Sequence, residues 1–350
     1  MSTPNPSRRD VALQTLITLA ISAVGGFAAS RLDIPGAWLM GGALAQALAA
    51  IMGVKVRMPN WLRDIGFMLT GLTMGAAVAR DSLNLVVQWP VTMLALVIEL
   101  VLIIAATGYM LRVVFGIDRG TAYLSSFPGH LSFVMGMAAA GVGDPRKIVI
   151  IQVIRVLMLT ICVPIGALFL PVGSYASAPV ADATPLMLLM MIGLCAAAGL
   201  AFSKLRVPAA YSLGAMAAAT VAKLSGVFEG AIPGPLVIVT FVLIGALIGA
   251  RFQGISRREI VEASIGGLIA TAMTVAIVTV IALGVSQLVD MPFAQIWLGL
   301  SPGGLEAMGA LGIALGLDTA FIAAHHVTRL LLLSFLIPLV TMLVRERPSP

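Results

Sequence analysis

Ten apolar runs punctuate the chain, and their lengths set the first expectation. In the first half they are Val11–Ser30, Ala37–Gly53, Ile65–Ala79, Pro90–Phe115 and Ile148–Leu170. In the second they are Leu186–Ser203, Ala210–Leu224, Pro235–Ala250, Ile260–Val289 and Phe321–Val344. Most approach or exceed the roughly 20 residues an α-helix needs to cross a bilayer core about 30 Å thick. Backbone groups find no water in that core, so helices are the elements predicted. Two weaker segments, Thr121–Val142 and Phe293–Leu317, are apolar but rich in Gly, each with a Pro near its start. Arg8 and Arg9 before the first run mimic a signal peptide, but that run has spanning length and a counterpart later in the chain, so it reads as a retained span.

The two halves repeat. RLDIPGAWLMG at Arg31–Gly41 matches KLRVPAAYSLG at Lys204–Gly214 at an offset of 173, pairing Trp38 with Tyr211. The offset then settles at 174: Gly71 and Gly75 fall on Gly245 and Gly249, Pro128–Gly129 on Pro302–Gly303, Asp144 on Asp318, Arg155 on Arg329 and Pro164 on Pro338. The predicted organisation is a first membrane repeat over 11–171, a linker rich in Ala, Ser and Pro over 172–185, and a second repeat over 186–345.

Composition agrees. Of 350 residues 60% are hydrophobic and 10% charged, against about 25% charged in a soluble domain. The net charge of +6, from 21 Lys and Arg against 15 Asp and Glu, would suggest nucleic acid in a soluble chain. Here it reports topology. If the weak segments dip in and return, sixteen basic residues share one face, Arg31, Arg80 and Lys223 face the other, and Arg155 and Arg329 lie within helices. If those segments span instead, the split is ten against nine. The positive-inside rule favours ten spans with both termini cytoplasmic. An odd number per half makes the second repeat inverted. Inverted repeats with discontinuous helices are a secondary-transporter layout, with the site near the midplane.

The weak segments read SSFPGHLSFV from Ser125 and GLSPGGLEAM from Gly299. Pro removes a backbone donor and Gly relaxes the helix, so each is expected to unwind, at Pro128 and at Pro302. Gly129, His130 and Ser132 flank the first break; Ser301, Gly303, Gly304 and Glu306 flank the second. Plain hairpin turns are the alternative. Arg155 and Arg329 each lie eight or nine residues into a helix, near mid-membrane, where an Arg costs about 2.5–3.5 kcal/mol on insertion scales. Three accounts stand open: each binds an anionic substrate, pairs with Glu306 or Glu99, or bonds the unwound carbonyls. Gln152 neighbours Arg155 as His325 and His326 neighbour Arg329. The histidines read as a proton relay or as hydrogen-bonded helix contacts.

GLTMG at Gly71–Gly75 and GALIG at Gly245–Gly249 allow close helix approach, within one chain or across a homodimer. Glu99 is a lone mid-span acid whose counterpart is Met273, and Asp144 and Asp318 read as helix caps. Cys162 and Cys195 read as small apolar residues. No metal, cofactor or disulfide is expected.

SPGGLE at Ser301–Glu306, Asp318 and HHVTRLLLL at His325–Leu333, with a diverged copy over Phe127–Leu159, resemble the AbrB family of bacterial membrane proteins, across about Leu13 to Val344. The chain departs from that pattern with His130 where a second Gly is usual and with its acid directly after Leu305. The family name implies regulation of gene expression, and some members carry an ammonia monooxygenase label. Loops this short hold no helix-turn-helix, and the His and Cys offer no copper or iron site.

The expectation is an all-α polytopic inner-membrane protein, not an enzyme, without direct nucleic-acid contact, seated among anionic lipids on the cytoplasmic side. It would be a secondary transporter of a small, preferably anionic solute. The predicted site comprises Pro128, Gly129, His130, Arg155, Ser301, Pro302, Gly303, Gly304, Glu306, His326 and Arg329. A membrane ligand sensor, or an indirect regulator working through a partner, is the alternative.

Overall fold

The computed structural model describes residues 7–33, 35–78, 89–129, 131–167, 169, 181–207 and 209–344. Arg80, His130, Arg345, Arg347 and most of the 172–185 linker lie outside the described residues. The first half holds α1 (Arg8–Ser30), α2 (Ala37–Ile51), α3 (Asn60–Ala76), α4 (Trp89–Val113), α5 (Arg119–Ser126), α6 (Leu131–Ala139) and α7 (Pro145–Ala167). The second holds α8 (Pro185–Lys204), α9 (Ala210–Leu224), α10 (Gly234–Ala250), α11 (Arg257–Val285), α12 (Phe293–Leu300), α13 (Leu305–Ala314) and α14 (Thr319–Val344). The protein is all-α and polytopic. Among the described residues six helices, α1, α4, α7, α8, α11 and α14, are long and apolar enough to cross a membrane. Exposed Leu13, Leu16 and Val24 on α1, Leu94 and Ile98 on α4, and Leu186 and Leu189 on α8 present the apolar exterior that lipid requires.

Sequence chemistry sets the helix ends. Ser7 and Asp10 form a capping box on α1, as Ser256 and Glu259 do on α11. Asp144 accepts from the amides of Arg146 and Lys147, and Asp318 from those of Ala320 and Phe321, so both act as caps. The approaches to α2 and α9 share a backbone conformation. Asp33 and Arg206 both have positive φ, as do Gly36 and Ala209, which precede α2 and α9.

α2, α3, α9 and α10 have 15 or 17 residues, about 22–26 Å at 1.5 Å per residue. They pack in pairs across the two halves, and the glycine stripes explain how. A Cβ on Gly71 would meet Ser212 and Ala215, and one on Gly75 would meet Met216 and Ala219, so α3 runs parallel to α9. Gly245 faces Leu39 and Ala43, and Gly249 faces Gln46 and Ala47, so α10 runs parallel to α2. Each stripe packs inside the chain, against the other half.

This exchange fixes relative direction. The start of α7 meets the start of α11, where Arg146 donates to Glu259 at 2.6 Å and to the Gly254 carbonyl at 2.6 Å. Phe115 and Ile117, just past α4, line the same hollow as Arg146 and Glu259. So α4 ends at the level where its counterpart α11 begins, and the two run in opposite senses. At the other end Thr92, near the start of α4, bonds His325 at 2.7 Å near the start of α14. The end carrying Arg146 is called the basic end below.

Candidate functional site

The two weak segments are re-entrant hairpins. Asp144 N–H donates to Thr121 Oγ1 at 2.7 Å, joining the exit of α6 to the entrance of α5. The chains are so close there that a Cβ on Gly120 would lie 2.7 Å from the Val142 carbonyl oxygen. In the second half Gln295 donates to the Asp318 carbonyl at 3.0 Å and accepts from its amide at 2.8 Å, joining the exit of α13 to the entrance of α12. Each hairpin therefore returns to its own end of the bundle. α5 and α12 have 8 residues each, about 12 Å of descent, so the tips reach about mid-depth from opposite ends. The breaks fall at Phe127–Gly129 and Ser301–Gly304, and Gly129 takes φ +120, which needs glycine.

A helix leaves its last four carbonyls without intrahelical partners, and burial makes that costly. α7 supplies the missing donors. Gln152 donates to the Leu124 carbonyl at 3.1 Å, and Arg155 donates to the carbonyls of Ser125 at 3.3 Å, Ser126 at 3.4 Å and Phe127 at 2.6 Å. In the second half Arg329 donates to the carbonyls of Ser301 at 2.9 Å, Gly299 at 3.2 Å and Leu300 at 2.5 Å. The hydrogen bonds that both arginines make are those of the third account, to the unwound carbonyls. His326 stands where Gln152 stands, but its Nδ1 donates to the Ile322 carbonyl in its own helix at 2.8 Å. His325 is bonded through both ring nitrogens, to Phe321 and Thr92, as a helix contact.

Both tips line one cavity of about 640 Å³. Pro128, Gly129, Arg155, Pro302, Gly303, Gly304, Glu306, His326 and Arg329 border it. Ser301 does not: it is buried, its hydroxyl donates to the Trp297 carbonyl, and it contributes its own carbonyl to Arg329. His130 lies outside the described residues. Reading residues alone missed Arg251, which follows α10, lines the cavity and is exposed at the basic end. It reads as an ordinary loop cation, and no local signal marks it. Glu306, in the first turn of α13, accepts from Ser212 at 3.1 Å and lies within electrostatic reach of Arg251.

The cavity is electropositive. Among the described residues three guanidinium groups border it against one carboxylate, and α13 begins there with no side chain capping its amides. Uncapped amides at a helix N-terminus favour an anion.

The chain resembles known proteins over nearly its whole length. A protein of Bacillus subtilis (strain 168) named "Uncharacterized protein YhjN" is 25% identical over 365 residues, covering 93% of this chain and 92% of that protein. The "Putative regulator AbrB" of Escherichia coli (strain K12) is 25% identical over 323 residues, covering 87% of this chain and 88% of its own length. The family described as "Transition state regulatory protein AbrB" matches residues 1–83 and 38–345. With nearly its whole length matched, this all-helical membrane chain belongs to the AbrB family.

Proposed function

We infer that the protein is a secondary transporter of a small anionic solute, bound at mid-depth between the two hairpin tips. The observation that carries this reading is the shared cavity of about 640 Å³, which two re-entrant hairpins enter from opposite ends. Broken helices meeting at the centre of an inverted repeat are how many carriers build a site. The anion would take the free amides of Leu305 and Glu306. Arg155 and Arg329 would act from behind, holding the tips and supplying positive potential. The basic end would be cytoplasmic, so with Arg251 at its edge the cavity is open inward.

The test is saturable uptake of radiolabelled acetate, succinate and inorganic phosphate into proteoliposomes. Uptake of at least one is expected. It should be lost in Gly304→Leu, which fills the cavity where a φ of −71 accepts any side chain. No uptake of any of the three contradicts the reading. The name of the Escherichia coli relative favours a second reading, a ligand-sensing regulator acting through a partner; saturable binding without flux would decide for it.

A further inference from the structure

Glu99 lies in α4, wholly buried, and neither carboxyl oxygen has a hydrogen-bond partner. Burying an unbonded carboxylate is costly, and the site described above makes no use of it. The charge facing it is Arg329, within direct electrostatic reach, yet no ion pair joins them. Arg329 commits both terminal nitrogens to the α12 carbonyls and keeps an unpartnered Nε. A buried acid and a buried N–H thus stand unjoined on two helices that pack together and are linked by the Thr92–His325 bond. The repeat shows that this is particular to one hairpin: the counterpart of Glu99 is Met273, so no repeat-related acid faces Arg155.

We propose that Glu99 is a proton-binding site that sets the grip of Arg329 on the α12–α13 hairpin. With the carboxyl protonated, the guanidinium stays on the carbonyls of Gly299, Leu300 and Ser301. When the proton leaves to the aqueous phase, the carboxylate draws the guanidinium toward itself and loosens the hairpin tip. One O–H bond forms or breaks; no other covalent bond changes. The α5–α6 hairpin, held by Arg155 and Gln152, stays fixed.

Among the described residues, other titratable groups around α4 are few. α12 carries none, and α5 carries Arg119 and Tyr123, the latter against Gly108. α11 has Arg257, Arg258, Glu259 and Glu262, all in its first two turns at the basic end. α14 brings His325, bonded to Thr92, and His326 beside Arg329. Use of this switch as the step that couples solute to protons rests on the transport reading above. The experiment below needs no solute, so its failure is distinguishable from failure of that reading.

The full-length protein in liposomes is treated with dicyclohexylcarbodiimide, an apolar reagent for protonated buried carboxyls, from about pH 5 to about pH 9, and the Glu99 peptide is followed by mass spectrometry. In parallel, Trp38→Phe, Trp61→Phe and Trp89→Phe are combined, leaving Trp297 on α12 as the fluorophore. Labelling of Glu99 should fall as pH rises, and Trp297 emission should change with the same midpoint. Glu99→Gln should abolish both responses and Glu99→Asp should keep them. Arg329→Gln should raise the labelling midpoint by about one pH unit or more; if it does not fold, the two Glu99 variants decide. Labelling independent of pH, or a Trp297 titration unchanged in Glu99→Gln, overturns the proposal.

Discussion

Gln295 clasps the backbone of Asp318 in both directions, accepting from its amide at 2.8 Å and donating to its carbonyl at 3.0 Å. One side chain thereby pins the two ends of the α12–α13 hairpin together. Replacing it with Leu leaves both backbone groups without that partner, at a cost of about 1–3 kcal/mol. Gln295→Leu should lower the apparent melting temperature in detergent, and Thr121→Val, which removes a single bond at the matching place, should lower it less.

The fan of donors from Arg155 cannot be replaced by a point charge. Lysine has one nitrogen to offer three diverging carbonyls. Arg155→Lys should therefore behave as a damaged protein despite keeping its charge, losing about 2–4 kcal/mol. Folded yield on size-exclusion chromatography and thermal unfolding provide the check.

At the centre, helix contact depends on missing side chains. A Cβ on Gly75 would sit 2.5 Å from the Met216 carbonyl oxygen, and one on Gly249 would sit 2.6 Å from that of Ala43. Gly75→Val and Gly249→Val should each cost about 1–3 kcal/mol or more by overpacking. Gly193→Ala, with nothing within 4 Å, should be neutral in the same melting assay.

The Arg146–Glu259 pair makes the opposite case. Its side chains remain 51% and 31% exposed, so solvent screens the pair and it adds little to stability. Glu259→Gln should shift the melting temperature little, and that shift should shrink further as salt is added.

Much of this was legible in the sequence because the chain says it twice. A Pro-Gly break at 128 and again at 302, each followed by an Arg at the same distance, marks a recurring structural device. The partners of those arginines were not legible, because their acceptors are backbone carbonyls that every residue carries. Three accounts stayed open until Arg155 was placed against Ser125, Ser126 and Phe127. The exchange of glycine stripes between halves was hidden too, since Gly71 and Gly75 advertise a close contact but not its partner. Arg251 has the look of any loop cation, and only the fold brings it to the cavity.

The two hairpins enter from opposite faces and meet. Sidedness of their exits tests it most directly. Cys162 and Cys195 are replaced by Ser, and single cysteines are introduced as Ala140→Cys, exposed just after α6, and Ala314→Cys, exposed at the end of α13. In sealed vesicles of known orientation, a membrane-impermeant maleimide should label position 140 from one side only and position 314 from the other side only. Labelling of both positions from the same side would contradict the account.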